Sequence, residues 1–397
     1  MKNQKEFPVP QSSFYSDTKP HYELLDGLRG VAALMVVWYH VFEGFAFAQG
    51  TGIETFSHGH LGVDFFFMLS GFVISYAYDD RWNSSAQSMN LGNFFKRRLI
   101  RLHPMLVIGS LIGAIAFCLQ GSVRWDGSPT PFVYIMLAFA LNILFIPAYP
   151  GACYDVRGNG EMFSLNGPSW SLFFEYIGNI MYALIIRRMS TRKLSVLCII
   201  TGILWACFAV CNISGYDMLG VGWTLESNNF IGGLLRMTFP FTLGMVLARN
   251  FKPLKVHSNV FWILSLILFA FFSVPYIPTE GVSWAQGISL NSLYEFMCVL
   301  CVFPFIVWYA ASVKEMNHIS GRVSRFLGNL SYPLYIVHYP VMYLFYAWLI
   351  DNKLYTLNET WPMVIIVFAI NISLAYVCLK LWDEPIRRWL TNRFLKS

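Results

Sequence analysis

Eleven apolar segments, each about 17–22 residues long, dominate this chain, and each is long enough to cross the roughly 30 Å hydrocarbon core of a bilayer as a helix. Of the 397 residues, 56% are hydrophobic and only 13% are charged, whereas soluble domains carry about 25% charged residues. The pattern predicts an all-α polytopic membrane protein. The segments are 28–48, 61–79, 102–120, 131–147, 169–187, 194–213, 230–249, 258–276, 290–311, 329–350 and 361–382.

The lysines and arginines between these segments predict the orientation, because cytoplasmic loops are enriched in both. If all eleven segments crossed, the basic cluster 187–193 and the two clusters after it would face outward. Segment 131–147 has prolines on both flanks and is the weakest candidate, so we expect it to be re-entrant or non-crossing. The prediction is about ten transmembrane helices plus one such segment, with both termini cytoplasmic.

The loops are too short to hold a soluble domain, since the longest have about 20 residues. We expect a cytoplasmic tail at 1–20, a membrane domain at 21–390 and a cytoplasmic tail at 391–397. The first 20 residues lack the apolar stretch of a cleaved signal peptide. The eight cysteines lie mostly in apolar segments, and we expect no metal site.

Ionisable residues within the spans require an explanation, because a charge at the bilayer centre costs at least ~2.5–3.5 kcal/mol. Helical rise places four of them, His40, Glu175, Arg236 and His338, in one layer in the middle-to-outer part of the membrane. The sequence therefore predicts a polar chamber there. Two structural alternatives remain: hydrogen-bonded histidines that only join helices, and a buried ion pair between Glu175 and Arg236.

Three residues of the first span, Arg29, His40 and Glu43, are spaced as catalytic residues on one helix face would be. Arg29 and His40 are 11 residues apart, which returns to within about 20° of the same helix face. Glu43 follows His40 by three residues and can lie beside it, where a carboxylate would fix the imidazole tautomer and raise its basicity. Asp64 lies nearer the outer surface, where it could contact a substrate or cap the second span.

A basic motif precedes the third span. Arg98 and Arg101 are three residues apart and so share one helix face, with Arg97 beside them. Arginine binds phosphate through paired hydrogen bonds, which suggests a nucleotide or pyrophosphate ligand. The alternative is an ordinary positive-inside anchor. Phosphate-binding loops and serine-hydrolase elbows are not apparent.

Five motifs occur in an order that resembles the acyltransferase 3 family of membrane O-acyltransferases. The resemblance covers about residues 21–390, and we expect the stand-alone form without an SGNH-type domain. Asn179 departs from the family pattern, in a stretch that is usually more apolar. The motifs are ELLDGLRGVAALMVVWYH at 23–40, FFFMLSGF at 65–72, RRLIRLHP at 97–104, PSWSLFFE at 168–175 and LGNLSYPLYIVHYP at 327–340.

The resemblance implies a division of labour among these residues. Cytoplasmic acyl-CoA, a co-substrate and not a bound cofactor, would place its phosphates on Arg97, Arg98 and Arg101. Its acyl group, acetyl by default, would pass Arg29 and reach His40. His40 would act as the general base, and an acyl-histidine intermediate is the alternative. Catalysis would also draw on Glu43 and Glu175. The residues expected on the acceptor side are Asp64, Arg236, His338, Trp170 and Ser331.

The function expected from this resemblance is acylation of a hydroxyl on an exported or cell-envelope sugar or glycan, in a bacterial inner membrane. Oligomeric state and acceptor are open. Trp125, Trp223 and Trp284 could stack on sugar rings or simply belong to an interfacial aromatic belt. The alternative function is a secondary transporter or flippase that uses intramembrane His, Glu and Arg, although no internal repeat is visible.

Overall fold

The computed structural model describes residues 22–50, 57–82, 89–256, 260–277 and 288–395. The predicted tail 1–20 and Trp284 lie outside the described residues. Regular structure in these ranges is helical. The helices are α1 Glu23–Gln49, α2 Leu61–Tyr78, α3 Leu91–Leu119, α4 Phe132–Ile143, α5 Ser169–Leu184, α6 Thr191–Val210, α7 Ser227–Arg249, α8 Val260–Phe272, α9 Leu290–Met297, α10 Phe303–Ser312, α11 His318–Asn352, α12 Leu357–Cys378 and α13 Glu384–Phe394.

Two pairs of these helices are continuous. A π-helical turn at Cys298–Val302 joins α9 to α10, and another at Leu379–Asp383 joins α12 to α13. Counted this way, the described ranges contain nine helices that are long and apolar enough to cross a membrane, and two shorter apolar helices, α4 and α8. The protein is therefore a multi-pass integral membrane protein, as predicted.

Contacts between the helices define two ends of the bundle. At one end, Arg249, the last residue of α7, contacts Asp79 just after α2, and the arginines at 97, 98 and 101 lie in the first half of α3; we call this the basic end. At the other end the segments 121–131, 148–168 and 211–226 hydrogen-bond to one another, and we call them the cap. Each long helix runs between the basic end and the cap.

Helix α4 confirms the prediction of a non-crossing segment. Both of its flanks lie in the cap, where the backbone N–H of Trp125 donates to the carbonyl of Arg157 at 3.1 Å. Phe145, just after α4, packs on Tyr176 and His103 inside the bundle, with ring centroids 4.8 and 6.1 Å apart. The chain therefore enters the bundle from the cap and returns to the cap.

The short helix α8 does connect the two ends. The chain before it lies at the basic end, where the N–H of Leu254 donates to Ser312 Oγ at the end of α10. After it, Tyr276 donates to the carbonyl of Asp217 in the cap. In the described residues, the nine long helices and α8 thus connect the two ends of the bundle, and α4 does not. The first of these elements is α1 and the last is α12–α13. The N-terminus of α1 and the C-terminus of α13 both lie at the basic end.

Helices α1 and α11 form the central pair of the bundle. Glycines allow them to approach closely: a Cβ on Gly30 would lie 2.4 Å from the carbonyl oxygen of Leu327, and one on Gly27 would overlap Ser324. Small residues that bring backbones together are the usual means of packing helices in membranes. This pairing positions the functional residues of α1 against α11.

Candidate active site

His40 and Glu43 form a hydrogen-bonded pair near the middle of the α1–α11 contact. The distance from His40 Nδ1 to Glu43 Oε2 is 2.6 Å, and both side chains are largely buried. The structure thus places the carboxylate beside the imidazole, as the three-residue spacing predicts. Since Glu43 accepts a hydrogen bond from the N–H at Nδ1, Nε2 is left as the basic nitrogen of the ring.

Two tyrosines of α11 hold this pair in place. Tyr346 donates to Glu43 Oε2 at 3.0 Å, and Tyr339 donates to the same oxygen at 3.3 Å. The Tyr339 ring also packs edge-on against the His40 ring, with centroids 4.8 Å apart. Three hydrogen bonds to one carboxylate oxygen favour its ionised form and fix its position. The sequence analysis did not identify these tyrosines, although their seven-residue spacing on one helix was a signal.

His338 lies next to His40, with ring centroids 5.2 Å apart. Its Nδ1 donates to the carbonyl of Tyr335 at 2.8 Å, so Nε2 carries the lone pair. That Nε2 is fully buried and has no hydrogen-bond partner among the described residues. Since buried polar atoms are normally paired, this nitrogen is a candidate contact for a ligand that enters the chamber.

Arg29 lies at the basic end of the same α1 face. Its Nε donates to Ser331 Oγ at 2.9 Å, and it forms an ion pair with Asp26 at 3.1 Å. Ser331 in turn donates to the carbonyl of Gly328. Arg29 and His40 therefore share one face of α1, as predicted, and that face meets α11. Ser331 positions Arg29 instead of lying on the cap side with the expected acceptor residues.

The partner of Glu175 differs from the one that the sequence suggested. Glu175 Oε1 accepts from Arg98 at 2.7 Å and from Ser70 at 2.9 Å. The ion pair with Arg236 is therefore wrong, and no hydrogen bond links Glu175 to His40 among the described residues. Glu175 is the seventh residue of α5, counted from the cap, and there it orients the buried Arg98 guanidinium.

The other arginines of the basic motif lie close by. Arg97 and Arg101 are half-buried, and Arg101 is near enough to Arg29 to repel it electrostatically. Arg387 of α13 adds to the positive charge around Arg29, and it also pairs with Asp383 at 2.8 Å. The sequence analysis did not identify the positive charge that α13 adds near Arg29, because Arg387 looks like an ordinary cytoplasmic anchor in the sequence.

Asp64 and Arg236 form a closed ion pair that joins α2 to α7. Arg236 donates to both carboxylate oxygens of Asp64, at 2.8–3.1 Å, and also to the carbonyls of Val221 and His60. Its guanidinium lies 5.1 Å from the ring centroid of Trp170. Both charged side chains are at most 2% exposed. This geometry is that of a structural tie between α2 and α7, close to the cap.

A second buried cluster surrounds Glu295. His58 Nδ1 lies 2.8 Å from Glu295 Oε1, and the N–H of Leu219 donates to Oε2 at 2.5 Å. His60 Nε2 lies 3.1 Å from Oε1. These contacts attach α9 to the cap, and across the described ranges no group of three His, Cys, Asp or Glu side chains has an arrangement that could hold a metal ion.

The cap contributes one further carboxylate, Glu161, which the sequence analysis did not select. Glu161 accepts a hydrogen bond from Tyr343 of α11. Arg157 stacks on the Tyr343 ring, with its Cζ 3.6 Å from the centroid. Burial raises the pKa of Glu161 to about 7, against the opposing effects of the Tyr343 hydrogen bond and the Arg157 charge. Burial also lowers the pKa of Arg157 to about 10.

Together these residues form a path along α1 and α11. Arginines gather at the basic end, and a histidine with its carboxylate lies deeper, roughly 16 Å away by helical rise from Arg29. A phosphate-bearing ligand held by the arginines could extend a flexible arm to His40. A base with a fixed tautomer at that point is suited to removing a proton from a hydroxyl group.

The combination of a helical membrane bundle, an arginine-lined end and an embedded His–Glu pair defines a class of membrane-embedded transferases. The family model described as an acyltransferase domain, Acyl_transf_3, matches residues 22–380. The chain therefore belongs to the acyltransferase 3 family, as its motifs indicated.

Similar proteins with assigned names include two peptidoglycan O-acetyltransferases. The chain is 26% identical to the putative peptidoglycan O-acetyltransferase YrhL of Bacillus subtilis over 83% of its length and 50% of that protein. It is also 26% identical to peptidoglycan O-acetyltransferase OatA of Listeria monocytogenes, over 80% of its length and 49% of that protein. The chain thus spans about half the length of these relatives.

A more similar but shorter match is the protein named "Protein 2 in picA locus" of Rhizobium radiobacter. Identity there is 37% over 170 residues, which is 40% of this chain and 80% of that protein. No solved structure matches the chain significantly.

Proposed function

We propose that this protein is a membrane O-acetyltransferase that moves an acetyl group from cytoplasmic acetyl-CoA to a hydroxyl of a cell-envelope glycan. The observation that carries the proposal is the largely buried His40–Glu43 pair, which shares one face of α1 with Arg29, while the arginines of α3 lie near Arg29. Family membership supplies the acyl-transfer chemistry, and the two named relatives supply the glycan class.

The orientation follows from charge. Because lysine and arginine are retained on the cytoplasmic side, the basic end faces the cytoplasm and the cap faces outward, in a bacterial inner membrane. Both tails are then cytoplasmic. Acetyl-CoA binds at the basic end, with its phosphates on Arg97, Arg98 and Arg101 and its thioester extended past Arg29 towards His40.

Transfer proceeds in one step on this proposal. His40 Nε2 takes the proton of the acceptor hydroxyl as its oxygen attacks the thioester carbonyl. The C–S bond breaks, and the thiolate of CoA leaves with the proton returned by the imidazolium. Glu43 stabilises the imidazolium while it exists. A positioned base of this kind contributes about 10²–10⁴-fold to the rate.

The test is release of CoA from acetyl-CoA by the purified full-length protein in lipid nanodiscs, with an oligosaccharide of N-acetylglucosamine as acceptor. We expect the wild type to release CoA and acetylate the sugar, and His40→Ala to lose at least 10²-fold. His318→Ala, which changes an exposed histidine of α11, is the matched control. Full activity of His40→Ala in a folded protein would refute the assignment of the base.

A further inference from the structure

A stripe of three tyrosines on α11 joins two carboxylates from different parts of the fold. Tyr339, Tyr343 and Tyr346 are four and three residues apart and so lie on one helix face. Tyr339 and Tyr346 donate to Glu43, whereas Tyr343 donates to Glu161 of the cap. The rings of Tyr339 and Tyr343 contact each other, with centroids 4.7 Å apart. The stripe therefore leads from the cap to the His40–Glu43 pair.

Backbone hydrogen bonds hold Glu161 rigidly in the cap. The N–H of Met162 donates to the carbonyl of Trp223, and the carbonyl of Met162 accepts from Ala148, each at 2.8 Å. Nearby, Asp155 accepts from the N–H groups of three glycines that turn the loop, Gly151, Gly158 and Gly160. All three have positive φ, which only glycine adopts at little cost. The loop is thus built to direct one side chain into the bundle.

One carboxylate oxygen of Glu161, Oε2, is hydrogen-bonded to α11. Tyr343 donates to Oε2, and no donor among the described residues reaches Oε1. Arg157 is nearby, but its Nε and Nη1 donate to the carbonyl of Ser164 and to Gln120 instead. Its Nη2 is buried without a partner in the part of the chain described here. A largely buried carboxylate, 8% exposed, with one oxygen already hydrogen-bonded can accept a further donor on the other oxygen, so Glu161 is suited to a ligand.

The side chains around Glu161 suit a carbohydrate. Trp125 packs against the rings of Tyr343 and Phe47, with centroids 6.3 and 5.0 Å apart. The buried Trp125 Nε1 also lacks a partner among the described residues. An aromatic wall with a few convergent polar atoms is the usual composition of a small-molecule site. Hydroxyl groups are the donors that a carboxylate oxygen accepts without bringing a second charge.

We propose that Glu161 binds a hydroxyl of the acceptor sugar beside the one that is acetylated, and so positions the acceptor against His40. The inference rests on the proposed function, and it adds the acceptor subsite. Glu161 acts by hydrogen bonding through Oε1, with Trp125 and Tyr343 as the aromatic wall. It takes no part in bond making or breaking.

The charge on Glu161 gives the subsite a pH dependence. Because its pKa is about 7, the carboxyl group is increasingly neutral below that pH and accepts hydrogen bonds less strongly. The groups that face it are Tyr343 of α11, Glu43 of α1, and Arg157 and Asp155 of its own loop. Acceptor binding should therefore weaken as the pH falls from 8 to 6.

The experiment measures KM and kcat for an N-acetylglucosamine pentamer with the full-length protein and saturating acetyl-CoA. We expect Glu161→Gln and Glu161→Ala to raise KM about tenfold or more, with a smaller change in kcat. The rise in KM between pH 8 and pH 6 should be present in the wild type and absent in Glu161→Gln. Asp126→Asn, at an exposed carboxylate of the same cap, should follow the wild type.

A folded Glu161→Gln protein with the wild-type KM and the wild-type pH dependence would overturn this inference. Binding of acetyl-CoA at the other end of the bundle verifies that each variant is folded. A wild type that binds acetyl-CoA but transfers no acetyl group would instead count against the proposed function, and this subsite with it. The two failures are therefore distinguishable.

Discussion

Arg29 and His40 lie eleven residues apart on one face of α1, and both contact α11. Arg29 binds Ser331, and His40 packs against His338 and Tyr339. A single helix pair thus fixes the distance between the arginine-rich end and the proposed base. Tight packing through Gly27 and Gly30 makes this distance resistant to change.

Removal of the charge on Glu43 should slow transfer without changing acetyl-CoA binding. In Glu43→Gln the amide can still contact Tyr346, but it stabilises the imidazolium poorly and no longer selects the Nδ1–H tautomer. We expect kcat to fall by roughly 10²-fold and the Kd for acetyl-CoA to stay within twofold. Single-turnover kinetics and calorimetry measure the two quantities. An unchanged kcat would show that His40 needs no carboxylate partner.

Arg101 should contribute to phosphate binding more than Lys96, which is exposed on the same helix. Arg101→Ala should weaken acetyl-CoA binding about tenfold, the ~1.4 kcal/mol of a charge-assisted hydrogen bond. Lys96→Ala should have little effect. Comparison with acetyl-dephospho-CoA, which lacks the 3′-phosphate, tests which phosphate Arg101 contacts. If Arg101 contacts that phosphate, Arg101→Ala should weaken binding of acetyl-dephospho-CoA less than binding of acetyl-CoA. Equal losses for Arg101→Ala and Lys96→Ala would mean a general attraction of charge.

The Asp64–Arg236 pair should act on stability and not on chemistry. Arg236→Ala leaves a buried carboxylate without its partner, and such changes cost about 3–5 kcal/mol. The double variant Asp64→Leu, Arg236→Met replaces the pair with apolar groups and should recover most of the lost thermal stability. Thermal unfolding in one detergent gives the comparison. A double variant that is stable but transfers no acetyl group would show that this pair takes a direct part in the reaction.

The raised pKa of Glu161 predicts how stability depends on pH. The folded protein binds this proton up to about pH 7, whereas the unfolded chain releases it near pH 4.5. Between those values the folded state holds more protons, so stability decreases as the pH rises. The decrease in Tm between pH 5 and pH 7.5 should be smaller in Glu161→Gln than in the wild type. Identical Tm profiles would place this carboxyl in a more hydrated setting.

Much of the fold follows from the sequence because a bilayer restricts the solutions. Apolar length located the spans, the lysines and arginines required that one of them not cross, and the flanking prolines pointed to 131–147, where α4 lies. Helical periodicity also placed Glu43 beside His40 and brought Arg29 and His40 to one face.

The pairings between helices could not be read in the same way. Depth alone suggested that Glu175 meets Arg236, because both lie in outer parts of their spans. In the structure Glu175 faces Arg98, and Arg236 faces Asp64. Which helices are neighbours depends on rotation and packing, neither of which hydropathy encodes. Glu161 was missed for a related reason, since it lies in a loop that folds back into the bundle.

The return of α4 to the cap has a consequence for how such chains can diversify. Because this hairpin starts and finishes on one side, its length and sequence can change, or the whole element can be lost, without inverting any later span. The cap can thus be reshaped while the arginines and His40 keep their positions relative to the two ends of the bundle. Variation among homologues should therefore concentrate in residues 121–168. The number of helices that connect the two ends of the bundle should stay even.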